Sequence, residues 1–263
     1  MSENILIKGY DISEKIKKEL AVRVKDLTNK DILPCLATIL VGDNPSSETY
    51  IKMKNNACKR IGIKSQKYHL PAETTTEELI NLIKKLNADQ SIHGILLQHP
   101  VPSQIYERAA LEMETFPSCT PAAIMELLNF YNIDVEGKHA VVVGRSPILG
   151  KPVSSLLLNK NATVTTCHSY TTNLEGILKH ADIVIAAVGK PNFIKGEWLK
   201  NDAIVIDAGY NRGNIGDVDF ESCEGIVKAI TPVPGGVGPV TIAMLLKHTV
   251  EAAEKQSLNL DTY

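Results

Sequence analysis

The sequence has no excess of charge of either sign and no long apolar run, and these absences exclude several classes of protein. It carries 28 Lys and Arg against 30 Asp and Glu, a formal net charge of −2. Such a balance provides no basic surface for nucleic acid or for an anionic membrane. No apolar run is long enough to span a bilayer or to form the core of a signal peptide. We therefore expect a cytoplasmic protein with no nucleic-acid or membrane partner.

Cysteine is also sparse, and its spacing excludes the usual metal motifs. The five cysteines are odd in number, widely scattered and without paired ligand spacing: Cys35, Cys58, Cys119, Cys167 and Cys223. We expect reduced, mostly structural thiols and no metal site. The 263 residues, 44% of them hydrophobic, are sufficient for two modest globular domains.

Apolar runs alternate with helical patterns along the chain, which predicts an α/β protein with parallel sheets. The predicted strands are Cys35–Val41, His93–Gln98, Val141–Val143, Ala162–Cys167, Asp182–Ala187 and Ala203–Ala208. Helices are predicted through Ile12 to Leu27, from Ser46 or Ser47 to about Ile61, after a capping box at Thr74–Glu77 or Thr75–Glu78, from Pro121, and from Val240.

This order predicts two lobes with a catalytic cleft between them. Residues 1–120, joined by the closing helix 240–263, would form an N-terminal α/β substrate lobe. Residues 121–239 would form a Rossmann-type dinucleotide-binding lobe with a parallel sheet.

The stretch AVVVGRSPILGKP, residues 140–152, has the form of a dinucleotide-binding turn. An apolar strand ends at Gly144, Ser146 keeps the backbone approachable, and Gly150 lets the next helix pack closely with its N-terminus towards a pyrophosphate. The spacing is one residue looser than the commoner Gly-x-Gly-x-x-Gly pattern. A plain strand-to-helix turn would use the same glycines, so this alternative stays open.

The end of the next predicted strand favours NADP over NAD. No ribose-binding carboxylate follows Cys167; the chain continues with His168, Ser169 and Tyr170, and Arg145 stands in the glycine turn. A cation and hydroxyl groups suit a 2′-phosphate. The alternative is that Arg145 is a solvated surface charge and Ser169 a loop residue.

Tyr50 and Lys54 are four residues apart and so lie on one face of a predicted helix. Such pairs are common by chance. Spacing alone favours a solvated lysine beside a half-buried tyrosine.

Four motifs occur together in one order: Tyr50-x-x-x-Lys54, GILLQHPVP (94–102), GRSPILGKP (144–152) and TPVPGGVGPVT (231–241). With them, the chain resembles the bifunctional methylenetetrahydrofolate dehydrogenase/cyclohydrolase family over nearly its whole length. The resemblance implies oxidation of 5,10-methylenetetrahydrofolate with NADP, then hydrolysis of 5,10-methenyltetrahydrofolate to 10-formyltetrahydrofolate. It also implies a homodimer that serves one-carbon metabolism and purine biosynthesis.

The resemblance also implies roles for single residues. Lys54 would be the essential polar group of the cyclohydrolase step, Gln98 would hydrogen-bond and tune it, and Tyr50 would stack on the aminobenzoyl ring. A lysine that loses hydration against an aromatic ring and a cofactor can exchange protons near neutral pH. The implied folate-binding residues are Tyr50, Lys54, Leu97, Gln98, His99, Pro234, Gly235, Gly236, Val237 and Gly238. The implied cofactor-binding residues are Gly144, Arg145, Ser146, Gly150, Ser169 and Tyr210.

The chain departs from this family between Ala110 and Ser118. The family inserts there a loop with a Lys-Asp-Val-Asp-Gly signature, whose second aspartate holds the pterin ring, whereas this chain has only LEMETFP. Either the protein lacks the loop and binds folate weakly, with Glu112 or Glu114 as a substitute, or the full-length polypeptide carries a further acidic, glycine-containing segment here.

Two other functions remain open at the level of sequence. A protein that kept the NADP lobe but lost folate turnover would act as a sensor or interaction module. A shikimate-type or amino-acid-type dehydrogenase would share the two-lobed architecture, although TPVPGGVGP speaks against it.

Overall fold

The structure is a computed structural model that describes residues 5–106 and 116–260, apart from the side chains of residues 45–49 and 259–260. Glu112 and Glu114, the predicted substitutes for the folate loop, lie outside the described residues. The chain divides into two compact units. One comprises Met1–Glu14 and Pro117–Met244, and the other Lys15–Phe116 and Leu245–Tyr263.

The second of these units contains a three-stranded parallel sheet. Its central strand, β2 (Cys35–Val41), lies between β3 (Lys64–Leu70) and β4 (Gly94–Leu97). All seven residues of β2 are buried, as a continuous apolar run in a central strand predicts. The helices that accompany this sheet along the chain are α1 (Gly9–Thr28), α2 (Pro45–Ile61) and α3 (Thr76–Asn87).

A capping box fixes the start of α3, as the sequence predicts. The Thr75 hydroxyl accepts a hydrogen bond from the Glu78 amide, and the Glu78 carboxylate accepts one from the Thr75 amide. Of the two overlapping candidates, Thr75–Glu78 is therefore the box that forms. Leu79, Ile83 and Leu86 are buried, as their helical spacing predicts.

The other unit contains a six-stranded parallel sheet. Its strands are β1 (Ile5–Leu6), β5 (His139–Val143), β6 (Thr163–Cys167), β7 (Ile183–Ala186), β8 (Ile204–Asp207) and β9 (Ala229–Ile230). They lie in the order β1-β9-β8-β7-β5-β6. The helices that follow in the chain are α4 (Cys119–Phe130), α5 (Gly150–Leu158), α6 (Leu174–Leu178) and α7 (Val237–Leu260). The α/β fold with parallel sheets and a Rossmann-like lobe is confirmed.

The strand order predicts a ligand crevice at the carboxyl edge of this sheet. From β5 the chain moves to β6 on one side and then returns to β7 on the other, so the order reverses at β5. In open parallel sheets, ligands bind outside the carboxyl ends of the strands at such a reversal. The loops that follow β5 and β7 are therefore the walls of the expected dinucleotide site.

Three short or polar strands did not emerge from the sequence pattern. β3 (KSQKYHL) is the polar edge strand of its sheet, and β1 and β9 have only two residues each. β1 pairs with β9, which is why Met1–Glu14 belongs to the six-stranded unit, although the sequence pattern grouped it with the first 120 residues.

Within residues 5–106 and 116–260, no helix has the length and apolar character needed to cross a membrane. The same residues contain no group of three or more His, Cys, Asp or Glu side chains placed to hold a metal ion. No disulfide joins any of the five cysteines, all of which lie among the described residues.

Candidate functional site

The turn after β5 is closed so tightly that two of its positions require glycine. A Cβ added to Gly144 would lie 2.1 Å from the carbonyl oxygen of Ala187, and Gly144 has φ +134°. A Cβ on Gly150 would lie 2.2 Å from the carbonyl oxygen of Gly144. These contacts bring the backbone of α5 against the end of β5, as a dinucleotide-binding turn requires. The turn therefore fits NADP.

Ser146 has a further role in this turn that its sequence position did not predict. Its hydroxyl oxygen accepts hydrogen bonds from the amides of Leu149 (3.2 Å) and Gly150 (3.3 Å). The Ser146 hydroxyl thus accepts from the amide of the residue before α5 and from the amide of its first residue, neither of which has an intrahelical acceptor.

The residues predicted to recognise a 2′-phosphate lie at the carboxyl ends of β5 and β6. Arg145 and Ser169 are exposed. The Arg145 guanidinium lies over the ring of Tyr170, the residue after Ser169, with 5.7 Å from Cζ to the ring centroid. The turn is held by hydrogen bonds from the Tyr170 amide to His168 Nδ1 and from the His168 amide to the Thr171 hydroxyl. The structure thus brings a cation next to hydroxyl-bearing residues, and no carboxylate ends β6.

The PGGVG segment leads directly into α7. Gly235 has φ +107°, and its carbonyl accepts a hydrogen bond from the Gly9 amide at 2.8 Å. Pro234 and Gly238 are exposed, whereas the Val237 side chain is buried at the first position of α7. Of this segment, the exposed backbone rather than the Val237 side chain is thus available to a ligand.

Tyr210 follows β8 and is 53% exposed. Its hydroxyl donates a hydrogen bond to the Asn214 side-chain oxygen. The Tyr210 side chain is therefore held on the loop between β8 and β9.

In the three-stranded unit, the structure brings Lys54 and Gln98 into contact. Lys54 Nζ donates a hydrogen bond to Gln98 Oε1 at 2.8 Å, and Gln98 is only 7% exposed. Gln98 Nε2 donates to the His99 carbonyl at 2.6 Å, and the Gln98 amide donates to the Ile39 carbonyl at 2.9 Å. The side-chain amide of Gln98 is therefore held through both its oxygen and its nitrogen.

Three other predicted residues accompany this pair. Tyr50 is half-buried one turn before Lys54 on α2, Leu97 is the last residue of β4, and His99 is half-buried after Gln98. The predicted Tyr50-x-x-x-Lys54 face thus exists on a helix, beside the end of β4.

Two buried aspartates, Asp207 and Asp217, are absent from the sequence-based site. The Asp217 carboxylate accepts hydrogen bonds from three consecutive amides after β7. Burial raises the pKa of Asp207 to about 6, against the lowering effect of hydrogen bonds from the Val218, Asp217 and Gly209 amides. The available signal was a carboxylate at the end of an apolar strand, VID.

Two family models together match almost the whole chain. The model "Tetrahydrofolate dehydrogenase/cyclohydrolase, catalytic domain" matches residues 7–113, and the NAD(P)-binding domain model of the same name matches residues 118–257. The two matches meet where this chain departs from the family signature.

Curated relatives agree with these models. The chain is 59% identical over 277 residues to the "Bifunctional protein FolD" of Shouchella clausii, covering 97% of this chain and 99% of that protein. It is 52% identical to "Bifunctional protein FolD 1" of Colwellia psychrerythraea, covering 95% and 97%. The first alignment is longer than the 263 residues of this chain. The Shouchella clausii protein therefore has residues inside the aligned region that this chain lacks.

Solved structures show the same relationship. The FolD methylenetetrahydrofolate dehydrogenase/cyclohydrolase of Campylobacter jejuni has a TM-score of 0.90 at 45% identity, covering 95% of this chain and 98% of that one. The Trypanosoma brucei enzyme, complexed with NADP cofactor and inhibitor, has a TM-score of 0.91 at 35% identity, covering 98% and 99%. A shikimate dehydrogenase from Aquifex aeolicus shares only the fold, at 12% identity and a TM-score of 0.58. On these matches, the chain belongs to the tetrahydrofolate dehydrogenase/cyclohydrolase family.

Proposed function

We propose that Lys54, Gln98 and Tyr50 carry out the folate chemistry of this NADP-dependent methylenetetrahydrofolate dehydrogenase and methenyltetrahydrofolate cyclohydrolase. The observation that carries the proposal is the 2.8 Å hydrogen bond from Lys54 Nζ to Gln98 Oε1. It joins two residues that are 44 positions apart, and both lie within the match to the catalytic-domain model.

The geometry of Gln98 explains how Lys54 is oriented. Because Gln98 Nε2 donates to the His99 carbonyl, Oε1 must face Lys54. An amide held in this way accepts from the lysine and cannot remove its proton. Lys54 is thus directed to one place, where it can exchange a proton with the substrate or orient the water that opens the methenyl bridge. Tyr50, one helical turn away, would stack on the aminobenzoyl ring, with Leu97 and His99 flanking the folate.

The cofactor is assigned to the carboxyl edge of the six-stranded sheet. Gly144 and Gly150 would let the pyrophosphate approach the backbone, with Ser146 holding the turn, and Arg145 and Ser169 would bind the 2′-phosphate. Tyr210 and the segment 234–238, of which Pro234 and Gly238 are exposed, would face the rings of cofactor and folate. Bound NADP supplies the hydride acceptor for oxidation of the methylene bridge.

The cellular setting follows from this chemistry as part of the same proposal. We assign the chain to the cytoplasm, as a homodimer, where 10-formyltetrahydrofolate would supply one-carbon units to purine biosynthesis. We also retain the predicted division of function, with residues 1–120 and 240–263 serving folate and 121–239 serving NADP, although β1 at the start of the first range belongs to the six-stranded sheet.

A single assay tests the activity. The purified chain is supplied with methylenetetrahydrofolate and NADP⁺ or NAD⁺, and the absorbance of methenyltetrahydrofolate is followed as it forms and decays. We expect formation with NADP⁺ and subsequent hydrolysis. A chain that binds NADP⁺ and produces no methenyltetrahydrofolate would instead be the nucleotide-binding sensor.

A further inference from the structure

The carboxylate of Asp217 is buried and bound by four donors. Asp217 is 0% exposed. Its Oδ2 accepts hydrogen bonds from the amides of Val188 (2.6 Å) and Gly189 (2.8 Å). Its Oδ1 accepts hydrogen bonds from the amide of Lys190 (2.9 Å) and from Asn211 Nδ2 (2.9 Å). Four hydrogen bonds from within the protein therefore satisfy this buried carboxylate.

Three consecutive amides that donate to one carboxylate form an anion-binding nest. In nucleotide-binding loops such nests often hold phosphate. Here the loop after β7, residues 187–190, places the nest around a carboxylate of the same chain. Hydrogen bonds to an ionised acceptor are roughly twice as strong as neutral ones, so Asp217 determines the conformation of this loop.

The backbone of Asp217 is itself tied to the end of β8. Asp207, the last residue of β8, accepts hydrogen bonds from the amides of Asp217 (3.0 Å) and Val218 (2.9 Å). Close packing fixes the position further, since a Cβ on Gly209 would lie 2.1 Å from Asp217 Cγ. Asp217 therefore connects the end of β8 to the loop after β7 through hydrogen bonds to both its backbone and its carboxylate.

The loop that Asp217 holds is one wall of the crevice at the strand-order reversal. Its first residue, Ala187, donates its amide to the Val143 carbonyl at 2.9 Å, and its carbonyl faces Gly144 so closely that no side chain fits there. The other wall is the glycine turn after β5. A change in residues 187–190 would thus be transmitted directly to the dinucleotide turn.

We propose that Asp217 is a positioning residue for NADP: its carboxylate keeps the loop 187–190 in its binding conformation beside the Gly144 turn. NADP then binds to a wall that is already ordered, so no binding free energy is spent on ordering the loop. Asn211 supports Asp217 by donating from Nδ2 to Oδ1. The proposal rests on the assignment of NADP to this edge of the sheet.

Asp217→Asn tests the proposal because asparagine keeps the shape and removes the charge. NADP⁺ affinity is measured by titration calorimetry, and exchange of the amides of residues 188–190 is measured by mass spectrometry. We expect the Kd for NADP⁺ to rise about tenfold and the three amides to exchange faster. Hydrolysis of methenyltetrahydrofolate without NADP⁺ should stay within about twofold of wild type, because Lys54 and Gln98 belong to the other unit.

Asp219→Asn is the matched control. Asp219 lies two residues further on and pairs with Lys195 at 2.9 Å, and its carboxylate has no hydrogen bond to residues 188–190. Its Kd for NADP⁺ should equal that of wild type. A folded Asp217→Asn protein with an unchanged Kd for NADP⁺ would overturn the proposal. An equal loss of NADP⁺ affinity and of methenyltetrahydrofolate hydrolysis would overturn it too, because it would indicate a general structural role.

Asn211→Ala keeps the test decisive if Asp217→Asn does not fold. It removes one of the four donors, so we expect the Kd for NADP⁺ to rise about threefold. An unchanged Kd in Asn211→Ala would then overturn the proposal. Wild-type protein that binds NADP⁺ but does not turn over folate would refute the proposed function alone, because the Kd measurements need no folate.

Discussion

The Arg145 guanidinium lies over the ring of Tyr170, with 5.7 Å between Cζ and the ring centroid. Tyr170 is 80% exposed, and its ring makes an edge contact with His168 at 6.2 Å. A planar guanidinium on an aromatic face keeps its N–H edges available. The pair thus presents a directed cation at the end of β6, where a 2′-phosphate would lie.

Removing this cation should erode the preference for NADP⁺. In Arg145→Ala we expect a loss of about 1.5–3 kcal/mol, one to two decades in NADP⁺ affinity, because a charge-assisted contact to the 2′-phosphate is lost. Affinity for NAD⁺ should change little. The measurement is kcat/KM with each cofactor. A wild-type enzyme that uses both cofactors equally well would contradict the assignment.

Removing the Tyr170 ring beneath the Arg145 guanidinium should reduce the preference for NADP⁺ by a smaller amount. Tyr170→Leu removes the aromatic face, and an exposed cation–π contact is worth about 0.5–1 kcal/mol, so NADP⁺ preference should fall about two- to fivefold. Tyr170→Phe is the matched control, since it retains the ring and should retain the preference. Equal ratios of NADP⁺ to NAD⁺ efficiency in the leucine and phenylalanine variants would show that Tyr170 does not orient Arg145.

Lys54→Met should abolish conversion of methenyl- to formyltetrahydrofolate. Methionine has similar length but neither donates to Gln98 Oε1 nor exchanges a proton with the substrate. NADP⁺ binding should be unchanged, and dehydrogenase activity should suffer less. Lys52→Met, an exposed position on the same helix, is the control and should retain both activities. If Lys54→Met hydrolyses methenyltetrahydrofolate at the wild-type rate, Lys54 is a surface residue without a role in this step.

Local patterns predicted much of the fold. The apolar run Cys35–Val41 is a central strand with the predicted bounds, and Thr75 and Glu78 form their capping box, because in both cases neighbouring residues determine the structure. The strand β3 was missed because its edge position allows polar side chains.

Less of the candidate site could be predicted from the sequence. Spacing alone favoured a solvated Lys54; only the family resemblance linked it to Gln98, 44 residues away. Asp217 was missed because three of its four donors are backbone amides that lie up to 29 residues earlier, and backbone amides carry no residue-type signal. Sequence patterns therefore do not show those long-range contacts of a site that backbone amides make.

The raised pKa of Asp207 predicts a pH-dependent stability. Burial raises the pKa from 3.8 to about 6, so between these values the folded state binds more protons than the unfolded state. The free energy of unfolding should therefore fall as pH rises through this window, by about 3 kcal/mol from this group. Urea unfolding across the window would measure it. Asp207→Asn does not titrate and should show a flatter profile; a profile parallel to wild type would assign the slope to other groups.

The shortened connection between Ala110 and Ser118 should limit folate affinity. It lacks the Lys-Asp-Val-Asp-Gly signature, and so lacks the aspartate to which the family resemblance assigns the pterin ring. An intact mass of 28.7 kDa first establishes that the polypeptide carries no further segment. Inserting a segment with the signature should then lower the KM for methylenetetrahydrofolate by one to two decades, because each charge-assisted bond contributes about 1.5–3 kcal/mol.

The control for this insertion is the same segment with its second aspartate replaced by asparagine. It restores the length of the connection without the charge, so it should recover little of the folate affinity. Neither insertion should change the Kd for NADP⁺, because the proposed NADP site lies at the carboxyl edge of the six-stranded sheet. If both insertions lower the KM equally, the length of the connection rather than the aspartate controls folate binding. A KM unchanged by either would mean that the chain binds the pterin ring through residues of its own.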